Sequence, residues 1–304
     1  MKGEGGIPAG GWRDDLRVLR QLLVGKRSTG DHARDLDRFY GPQAQAYDSF
    51  RERLLPGRPA FMQALPLQPG AHVVDLGAGT GRHWHYVAEA LPGLASLTLV
   101  DLCTPLQHIA QQRFAGQAQV QVVHGDATVW RPAPGHPPAD LVVFSYSLSM
   151  MTDWQAALAN ARALLRPGGV LALIDFCTLP AAPPPPLRPL PAWARWFWPR
   201  WFRHDGVLLR EGVLPALLAS GPTQALHQCH ARLPYLPLAG APWFHWIGEA
   251  HGPAQPRWAG PAPRPWWRAV RCLAAWARRS ARPCCRPACR ATAWPAKPSS
   301  KPVR

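Results

Sequence analysis

The chain has 304 residues, of which 47% are hydrophobic and 17% charged, and this composition excludes a chain that is disordered throughout. No apolar run approaches ~18 residues, which argues against a transmembrane helix. The formal net charge is +16, but residues 251–304 contain twelve Lys or Arg and no Asp or Glu. Residues 1–250 therefore carry only +4, and the basic character belongs to residues 251–304.

Short apolar runs alternate with helical stretches from residue 72 onward. They follow a Gly-rich N-terminal extension (1–30) and one or two helices over 31–55 that Gly41-Pro42 interrupts. Apolar strands that alternate with helices indicate a parallel sheet covered on both faces. The predicted strands are 72–76, 97–101, 120–124, 139–145 and 170–176.

Residues 177–205 break this pattern. They contain four consecutive prolines and an aromatic, basic stretch, WARWFWPRWFRHD, whose Pro199 is expected to limit a continuous helix. A helix is predicted at 210–220, and two later apolar segments, 223–236 and 242–248, predict an antiparallel hairpin at the sheet edge. The predicted organisation is an extension (1–30), an α/β domain (31–250) with an insertion (177–205), and a basic, disordered tail (251–304).

The sharpest local motif is VVDLGAGTGRH at 73–83, which places three glycines between a predicted strand and a predicted helix. The dinucleotide fingerprint requires glycine at position 82, where this chain has Arg82. The acid before the turn, Asp75, would repel a pyrophosphate and would attract a ligand that carries an ammonium group. His83 and His85 are interpreted as helix-surface or ligand-adjacent residues.

Acidic residues also stand at the ends of the next two strands. Asp101 is suited to accept hydrogen bonds from ribose hydroxyls, and Asp126 from an adenine amino group. An adenosine with a cationic amino-acid arm satisfies all three acids, so the predicted co-substrate is S-adenosyl-L-methionine. Each feature alone is also a common structural one, and the ordered set carries the prediction. The predicted donor-binding residues are Asp75, Gly77, Ala78, Gly79, Gly81, Asp101, Leu102, Asp126, Ala127 and Ser145.

This ordered set resembles the class I S-adenosylmethionine-dependent methyltransferases over about residues 31–250. Five segments resemble one family in particular, the diacylglyceryl-homoserine N-methyltransferases of betaine-lipid synthesis: 37–58, 100–113, 145–169, 201–207 and 233–248. The resemblance implies a Rossmann-like α/β fold with a mostly parallel sheet, an antiparallel edge hairpin and an N-terminal helical lid. It implies threefold methylation of the homoserine amine of a membrane-embedded, diacylglycerol-type lipid, and pairing with the enzyme that makes diacylglyceryl-homoserine.

Methyl transfer to an amine mainly requires alignment and a neutral nitrogen. Aromatic rings can face the cationic product without trapping it as a carboxylate would. Three tyrosines are predicted to line the methyl-transfer pocket and a histidine to accept the released proton, although core or loop packing explains each of them equally well. These residues are Tyr40, Tyr47, Tyr146 and His204. The homoserine carboxylate needs a cation, and the sequence does not choose among Arg51, Arg53, Arg58 and Arg203.

A lipid acceptor also requires contact with an anionic membrane surface. Tryptophan and arginine alternate over 193–205, which predicts an interfacial segment, with a buried substrate-side cap as the alternative. The N-terminus has no apolar signal region, and the seven cysteines form no metal-binding spacing. We therefore expect a metal-free protein with reduced thiols, in the cytoplasm and peripheral on the inner face of the membrane.

Three alternatives stay open at this point. The enzyme class could hold while the acceptor differs, as a phosphatidylethanolamine amine, a quinone carbon or a small soluble amine. The basic tail could bind RNA, but no nucleic-acid partner is expected because residues 1–250 carry only +4. A catalytically inactive fold is disfavoured by the complete set of glycines and acids.

Overall fold

The computed structural model describes residues 54–204, 206–233 and 236–250. The predictions for the extension, the lid helices and the tail lie outside these residues. So do the candidate site residues Tyr40, Tyr47, Arg51 and Arg53. The remaining candidate residues named above are all described.

Seven strands of the described residues form one sheet in the order β3-β2-β1-β4-β5-β7-β6. The first five strands pair in parallel, and β7 runs antiparallel to both β5 and β6. The predicted α/β class I methyltransferase architecture, with its edge hairpin, is confirmed. The strands are β1 (His72–Leu76), β2 (Ser96–Asp101), β3 (Val120–His124), β4 (Ala139–Ser145), β5 (Leu165–Phe176), β6 (Thr223–Leu233) and β7 (Leu236–Glu249).

Helices connect the strands on both faces. The first crossover, Arg82–Gly93, is a 3-10 segment with a kink at Val87, whose dihedrals are non-helical, and with Pro92 near its end. Among the described residues, no helix is both long and apolar enough to cross a bilayer. The α-helices are α1 (Arg58–Gln63), α2 (Thr104–Arg113), α3 (Trp154–Leu164), α4 (Ala192–His204) and α5 (Val213–Leu218).

The core lies around the central strands β1, β4 and β5. Most of their side chains are apolar and buried, and β5 is buried from Val170 through Phe176. A strand of this kind belongs inside a sheet covered on both sides. The central position of β1 and β4 also fixes the site, because the strand order reverses between them and their carboxyl ends open a crevice there.

The expectation that Pro199 would limit a continuous helix is wrong. Helix α4 runs through Pro199, although the missing N–H gives up one backbone hydrogen bond. The helix continues because one of its faces is anchored in the core: Trp198 is fully buried and Phe202 is 6% exposed. Tertiary packing outweighs the local preference here.

Candidate active site

The glycine turn after β1 is built from three glycines with different tasks. All three have positive φ, at 76° for Gly77, 58° for Gly79 and 63° for Gly81. A Cβ on Gly77 would lie 2.5 Å from the Ser147 Cβ, and one on Gly81 would meet Phe114. A Cβ on Gly79 would meet only Leu106, at 3.8 Å. Gly77 and Gly81 therefore allow close packing, whereas Gly79 keeps open the space that faces the crevice.

Asp101, at the end of β2, closes one side of the crevice. Its Oδ2 accepts a hydrogen bond from the Gly79 backbone N–H at 2.7 Å, and its Oδ1 accepts one from Cys103 N–H at 2.7 Å. Burial raises the pKa of this carboxyl, and the backbone donors act in the opposite direction. The carboxylate is thus held in one orientation, with lone pairs left for a ligand.

A cavity of about 330 Å³ opens between the glycine turn and the ends of β2, β3 and β4. Its volume is within the range of small-molecule sites, ~300–1,000 Å³. Of the predicted donor-binding residues it is lined by Gly77, Gly79, Asp101, Leu102, Asp126 and Ala127. It is also lined by residues that no motif in the sequence had identified: Cys103, Leu106, Thr128, Ser147, Met150, Met151, Thr152 and Asp153.

Asp126 lies at the exposed end of this cavity. Its Oδ1 accepts hydrogen bonds from Thr128, from the backbone N–H at 2.8 Å and from the hydroxyl at 2.7 Å. The neighbouring Ala127 is buried, and its carbonyl accepts a hydrogen bond from Asn160 Nδ2 at 2.8 Å. The Asn160 side chain on α3 therefore holds the backbone at Ala127 in place, and this fixes the wall of the cavity beside Asp126.

A second, smaller cavity of about 40 Å³ lies on the other side of the glycine turn. Gly77, Gly79 and Tyr146 line both cavities. The small cavity is also lined by Leu55, Arg58, Ala78, Thr80, Arg82, His83 and Ser145. Two arginines and no Asp or Glu are among these described lining residues, so this end of the crevice favours an anionic group.

The structure differs from the sequence prediction for Asp75. Its side chain is fully buried behind the glycine turn and lines neither cavity. Its Oδ2 accepts a hydrogen bond from Trp84 Nε1 at 2.8 Å and pairs with His83 Nε2 at 2.8 Å. His83 is accordingly buried rather than on a helix surface, while His85 is exposed and pairs with the Arg82 carbonyl. Direct contact between Asp75 and the donor stays a prediction.

Gly81 is also away from both cavities, because it packs on Phe114 and Leu99. The signal that separates it from Gly77 and Gly79 is three-dimensional and has no counterpart in the G-x-G-x-G spacing. Its contribution is to let the end of the turn pack against Phe114 and Leu99, where a side chain would not fit.

Tyr146 follows β4 with a φ of 55°, an unusual value for a residue with a side chain. Its hydroxyl donates a hydrogen bond to the Pro56 carbonyl, and its ring lies 5.0 Å from that of Phe176. The Arg58 guanidinium lies 5.7 Å from the Tyr146 ring centroid. Burial, with a further contribution from Asp175, raises the pKa of Tyr146 well above its ordinary value, so this hydroxyl is a hydrogen-bond donor rather than a base.

His204, the predicted proton acceptor, is exposed at the end of α4 and lines neither cavity of the crevice. Arg203 is exposed on the same turn. Of the four arginines considered for the homoserine carboxylate, Arg58 is the described one that reaches the crevice. The proton-accepting role of His204 stays a prediction that the geometry does not favour.

The crevice has the features that a sulfonium-bearing adenosine requires. Ser145 Oγ, which lines the small cavity beside the glycine turn, is buried and has no hydrogen-bond partner among the described residues. A polar ligand group in that cavity would satisfy this hydroxyl. Asp101 supplies fixed acceptors for a ribose, and Gly79 leaves the backbone open to close approach.

Comparison with known proteins gives the class of domain. Residues 73–169 match a protein-family model described as a methyltransferase domain. The trans-aconitate 2-methyltransferase of Delftia acidovorans is 34% identical over 123 residues, which cover 38% of this chain and 42% of the relative. The chain spans about half the length, or less, of the curated relatives it matches.

Solved structures agree on the fold. The N-methyltransferase NodS of Bradyrhizobium japonicum, solved with S-adenosyl-L-homocysteine, is 16% identical with a TM-score of 0.52, covering 71% of this chain and 98% of that one. The mitomycin 7-O-methyltransferase MmcR is 20% identical with a TM-score of 0.52, covering 80% and 70%. The matched region is an S-adenosylmethionine-dependent methyltransferase domain. Its predicted enzyme class and co-substrate are confirmed at this level.

Proposed function

We propose that the chain is an N-methyltransferase that transfers methyl groups from S-adenosylmethionine to the homoserine amine of diacylglyceryl-homoserine, forming a betaine lipid. In each round the amine lone pair forms a C–N bond to the methyl carbon, and the electron pair of the broken C–S bond stays on sulfur. One proton is released per round, so three rounds convert an ammonium into a trimethylammonium group. The protein has to align the reactants and exclude water.

One observation carries this proposal: three segments that are distant in sequence, and that each resemble the betaine-lipid family, meet in one chain of contacts through Tyr146 and Phe176. Arg58 ends the first of them and lies 5.7 Å from the Tyr146 ring. Tyr146 belongs to the second. Phe202, in the third, lies 4.4 Å from Phe176, which itself contacts Tyr146. The resemblance thus extends over the acceptor end of the crevice as well as over the donor cradle.

The chemistry of the small cavity is consistent with a homoserine headgroup. Arg58 and Arg82 suit its carboxylate, and the Tyr146 ring suits a nitrogen that gains permanent positive charge. No Asp or Glu among the described residues lines this cavity, so no carboxylate there would hold the cationic product. An aromatic wall and two guanidinium groups bind the substrate without trapping the product.

A second candidate is methylation of a small polycarboxylate. The same two arginines would bind carboxylates, and the relatives named trans-aconitate 2-methyltransferases supply the precedent. In that case the acceptor oxygen would be a carboxylate and the product an ester, with no lipid involved. The matched segment covers 38% of this chain, so the choice between acceptors rests on the residues around Tyr146.

The test uses the full chain with a donor that carries a deuterated methyl group. Diacylglyceryl-homoserine in detergent micelles, phosphatidylethanolamine in the same micelles and soluble trans-aconitate are offered separately, and products are identified by mass spectrometry. We expect mono-, di- and trimethylated homoserine lipid, and much less product with an Asp101→Asn variant at a donor concentration that does not saturate it. Methylation of trans-aconitate with unmodified homoserine lipid would overturn the proposal in favour of the second candidate.

A further inference from the structure

Helix α4 presents an aromatic and cationic face that no described residue covers. Trp193 is 53% exposed, Trp196 is 60% exposed and Trp201 is 41% exposed. Tryptophan side chains are large and are mostly buried on average, so a group of exposed ones marks an interaction surface. The opposite face of the same helix, with Ala194, Trp198 and Phe202, is buried in the domain.

The exposed rings form a connected group. Phe197 is 6.5 Å from Trp193 and is stacked on Trp201 at 5.8 Å. The Arg200 guanidinium lies 4.6 Å from the Trp196 ring centroid. The face therefore holds three linked rings, Trp193, Phe197 and Trp201, and a fourth ring, Trp196, that carries the Arg200 guanidinium. We refer to Trp193, Trp196, Phe197, Arg200 and Trp201 as the aromatic face.

The charge along the segment that carries this face has one sign between Asp175 and Asp205. Residues 176–204 contain no Asp or Glu and four arginines. Two of them, Arg200 and Arg203, are exposed on α4 itself. Tryptophan is favoured at the headgroup level of a bilayer, and arginine is favoured next to anionic headgroups. A nucleic acid or an acidic protein would satisfy the arginines but would leave three exposed indoles without an apolar environment.

The aromatic face also lies close to the acceptor end of the crevice. Phe202 on the inner side of α4 contacts Phe176, and Phe176 contacts Tyr146, which lines both cavities. One helix diameter, ~10–12 Å, thus separates the exposed indoles from the inner rings of this chain of contacts. A headgroup bound beside Tyr146 would have its acyl chains within reach of a bilayer that α4 touches.

We propose that the aromatic face of α4 docks onto an anionic phospholipid bilayer, with its tryptophans at the headgroup level and its arginines on lipid phosphates. This deepens the proposed function, since it supplies the surface from which a lipid acceptor would enter. The binding itself does not depend on catalysis and can be measured without it.

The experiment compares full-length variants that all retain residues 251–304, so that the basic tail contributes equally to each. The wild type, a Trp193→Gln/Trp196→Gln/Trp201→Gln variant and an Arg200→Gln/Arg203→Gln variant are sedimented with vesicles of phosphatidylcholine, with and without phosphatidylglycerol. A Val129→Gln variant is the matched control, because Val129 is a hydrophobic residue that is 70% exposed elsewhere on the domain. A thermal shift with S-adenosylhomocysteine verifies that every variant is folded.

We expect the triple tryptophan variant to bind vesicles at least about tenfold more weakly than the wild type. On anionic vesicles the arginine variant should lose about fivefold per arginine. The Val129→Gln variant should bind like the wild type. The tryptophan effect should persist at high salt, where a Debye length of ~3 Å screens the arginines and the tail.

A second measurement locates the indoles directly. Phosphatidylcholine with brominated acyl chains quenches tryptophans that enter the bilayer. The triple variant should be quenched less than the wild type, and the part that it loses is the contribution of the aromatic face, because the tryptophans of residues 251–304 are the same in both proteins. Equal binding and equal quenching in the wild type and the triple variant would overturn the proposal. So would a triple variant that changes only the oligomeric state, because the face would then contact protein.

The outcomes separate this inference from the proposed function. If the protein methylates micellar homoserine lipid but does not bind vesicles, the docking surface alone is overturned. Vesicle binding through the aromatic face by a protein that leaves the lipid unmethylated would overturn the acceptor assignment alone.

Discussion

The donor side of the crevice and the side that we propose for the acceptor, called the acceptor side below, are built in different ways. On the donor side the backbone dominates: Gly77 and Gly79 adopt positive φ, and backbone N–H groups fix the Asp101 carboxylate. On the acceptor side, side chains from distant segments meet, with Arg58 and Phe202 arranged around Tyr146 and Phe176. A backbone cradle is shared by proteins with different acceptors, whereas a side-chain pocket belongs to one substrate class.

This difference between the two sides determines what sequence similarity to relatives can reveal about the donor and the acceptor. The match to a methyltransferase domain covers residues 73–169, which hold the donor cradle, while Arg58 and Phe202 lie outside it. Similarity over this region therefore identifies the donor and leaves the acceptor to be argued from the residues themselves.

The largest expected effect is a loss of donor affinity when Asp101 is replaced. In Asp101→Asn the amide NH2 must face either the Gly79 or the Cys103 N–H, and one fixed acceptor for the ligand is lost. Affinity for S-adenosylhomocysteine should fall by about 100-fold, measured by calorimetry. Asp140→Asn is the control, because that carboxylate also accepts from a backbone N–H but lies at the amino end of β4. Binding by Asp101→Asn within threefold of the wild type would contradict the assignment.

Two glycine substitutions separate support of the turn from contact with the donor. Gly77→Ala places a methyl group against Ser147, so urea unfolding should show a loss of about 2–4 kcal/mol from strain and overpacking. Gly79→Ala should lose only ~1–2 kcal/mol, the strain of positive φ, because its Cβ meets only Leu106. It should nevertheless weaken donor binding by at least about tenfold. A Gly79→Ala protein with wild-type donor affinity would remove this residue from the cradle.

The Arg58→Gln variant tests whether Arg58 binds the acceptor or the donor. If Arg58 binds the acceptor carboxylate, the acceptor KM should rise by about tenfold or more while donor affinity stays within threefold. Arg131→Gln, an exposed arginine that donates to the Trp130 carbonyl, is the control. A fall in donor affinity with an unchanged acceptor KM would move Arg58 to the donor side.

The scaffold of the acceptor side should be sensitive to acid. His245 on β7 lies beside Phe61 of α1, and burial, with a contribution from His227, lowers the pKa of His245 to about 3. The unfolded histidine titrates near 6.5, so the native state binds fewer protons, and stability from this group falls as pH drops below ~6.5. Urea unfolding should show ~2 kcal/mol less stability at pH 5 than at pH 7 from this group. His245→Phe should remove that portion, and parallel pH dependence in both proteins would contradict it.

The smallest effect concerns the Tyr146 hydroxyl. Tyr146→Phe removes the hydrogen bond to the Pro56 carbonyl and should lower the free energy of unfolding by ~1 kcal/mol. Because burial raises the pKa of Tyr146 well above its ordinary value, the variant should keep the wild-type pH profile of kcat between about pH 6 and 9. Loss of one limb of that profile would instead give the hydroxyl a part in proton transfer.

The sequence predicts the strands and the acids at their ends well because periodicity and backbone chemistry are local. Apolar runs locate the strands, and Asp101 and Asp126 fall at strand ends that meet at one edge of the sheet. The same reasoning does not predict the contacts of Asp75, since nothing in its neighbourhood along the chain shows that His83 and Trp84 fold back over its carboxylate. Alternation tells which strand end carries an acid but not which way the side chain turns.

The acceptor side is harder to read because its contacts span the chain. No spacing rule connects Pro56 with Tyr146, and the continuous helix through Pro199 follows from the burial of Trp198 rather than from local propensity. Met150 and Met151 line the donor cavity without any motif that would identify them. These features depend on packing, which a single sequence does not display.

The most direct test of the account is a calorimetric titration of the full chain with S-adenosylhomocysteine. The account predicts saturable binding at one site per chain, displaced by S-adenosylmethionine and accompanied by a rise in melting temperature. Folded protein that gives neither heat nor a thermal shift with either ligand would contradict the assignment of the crevice, and with it every step that leads to the acceptor.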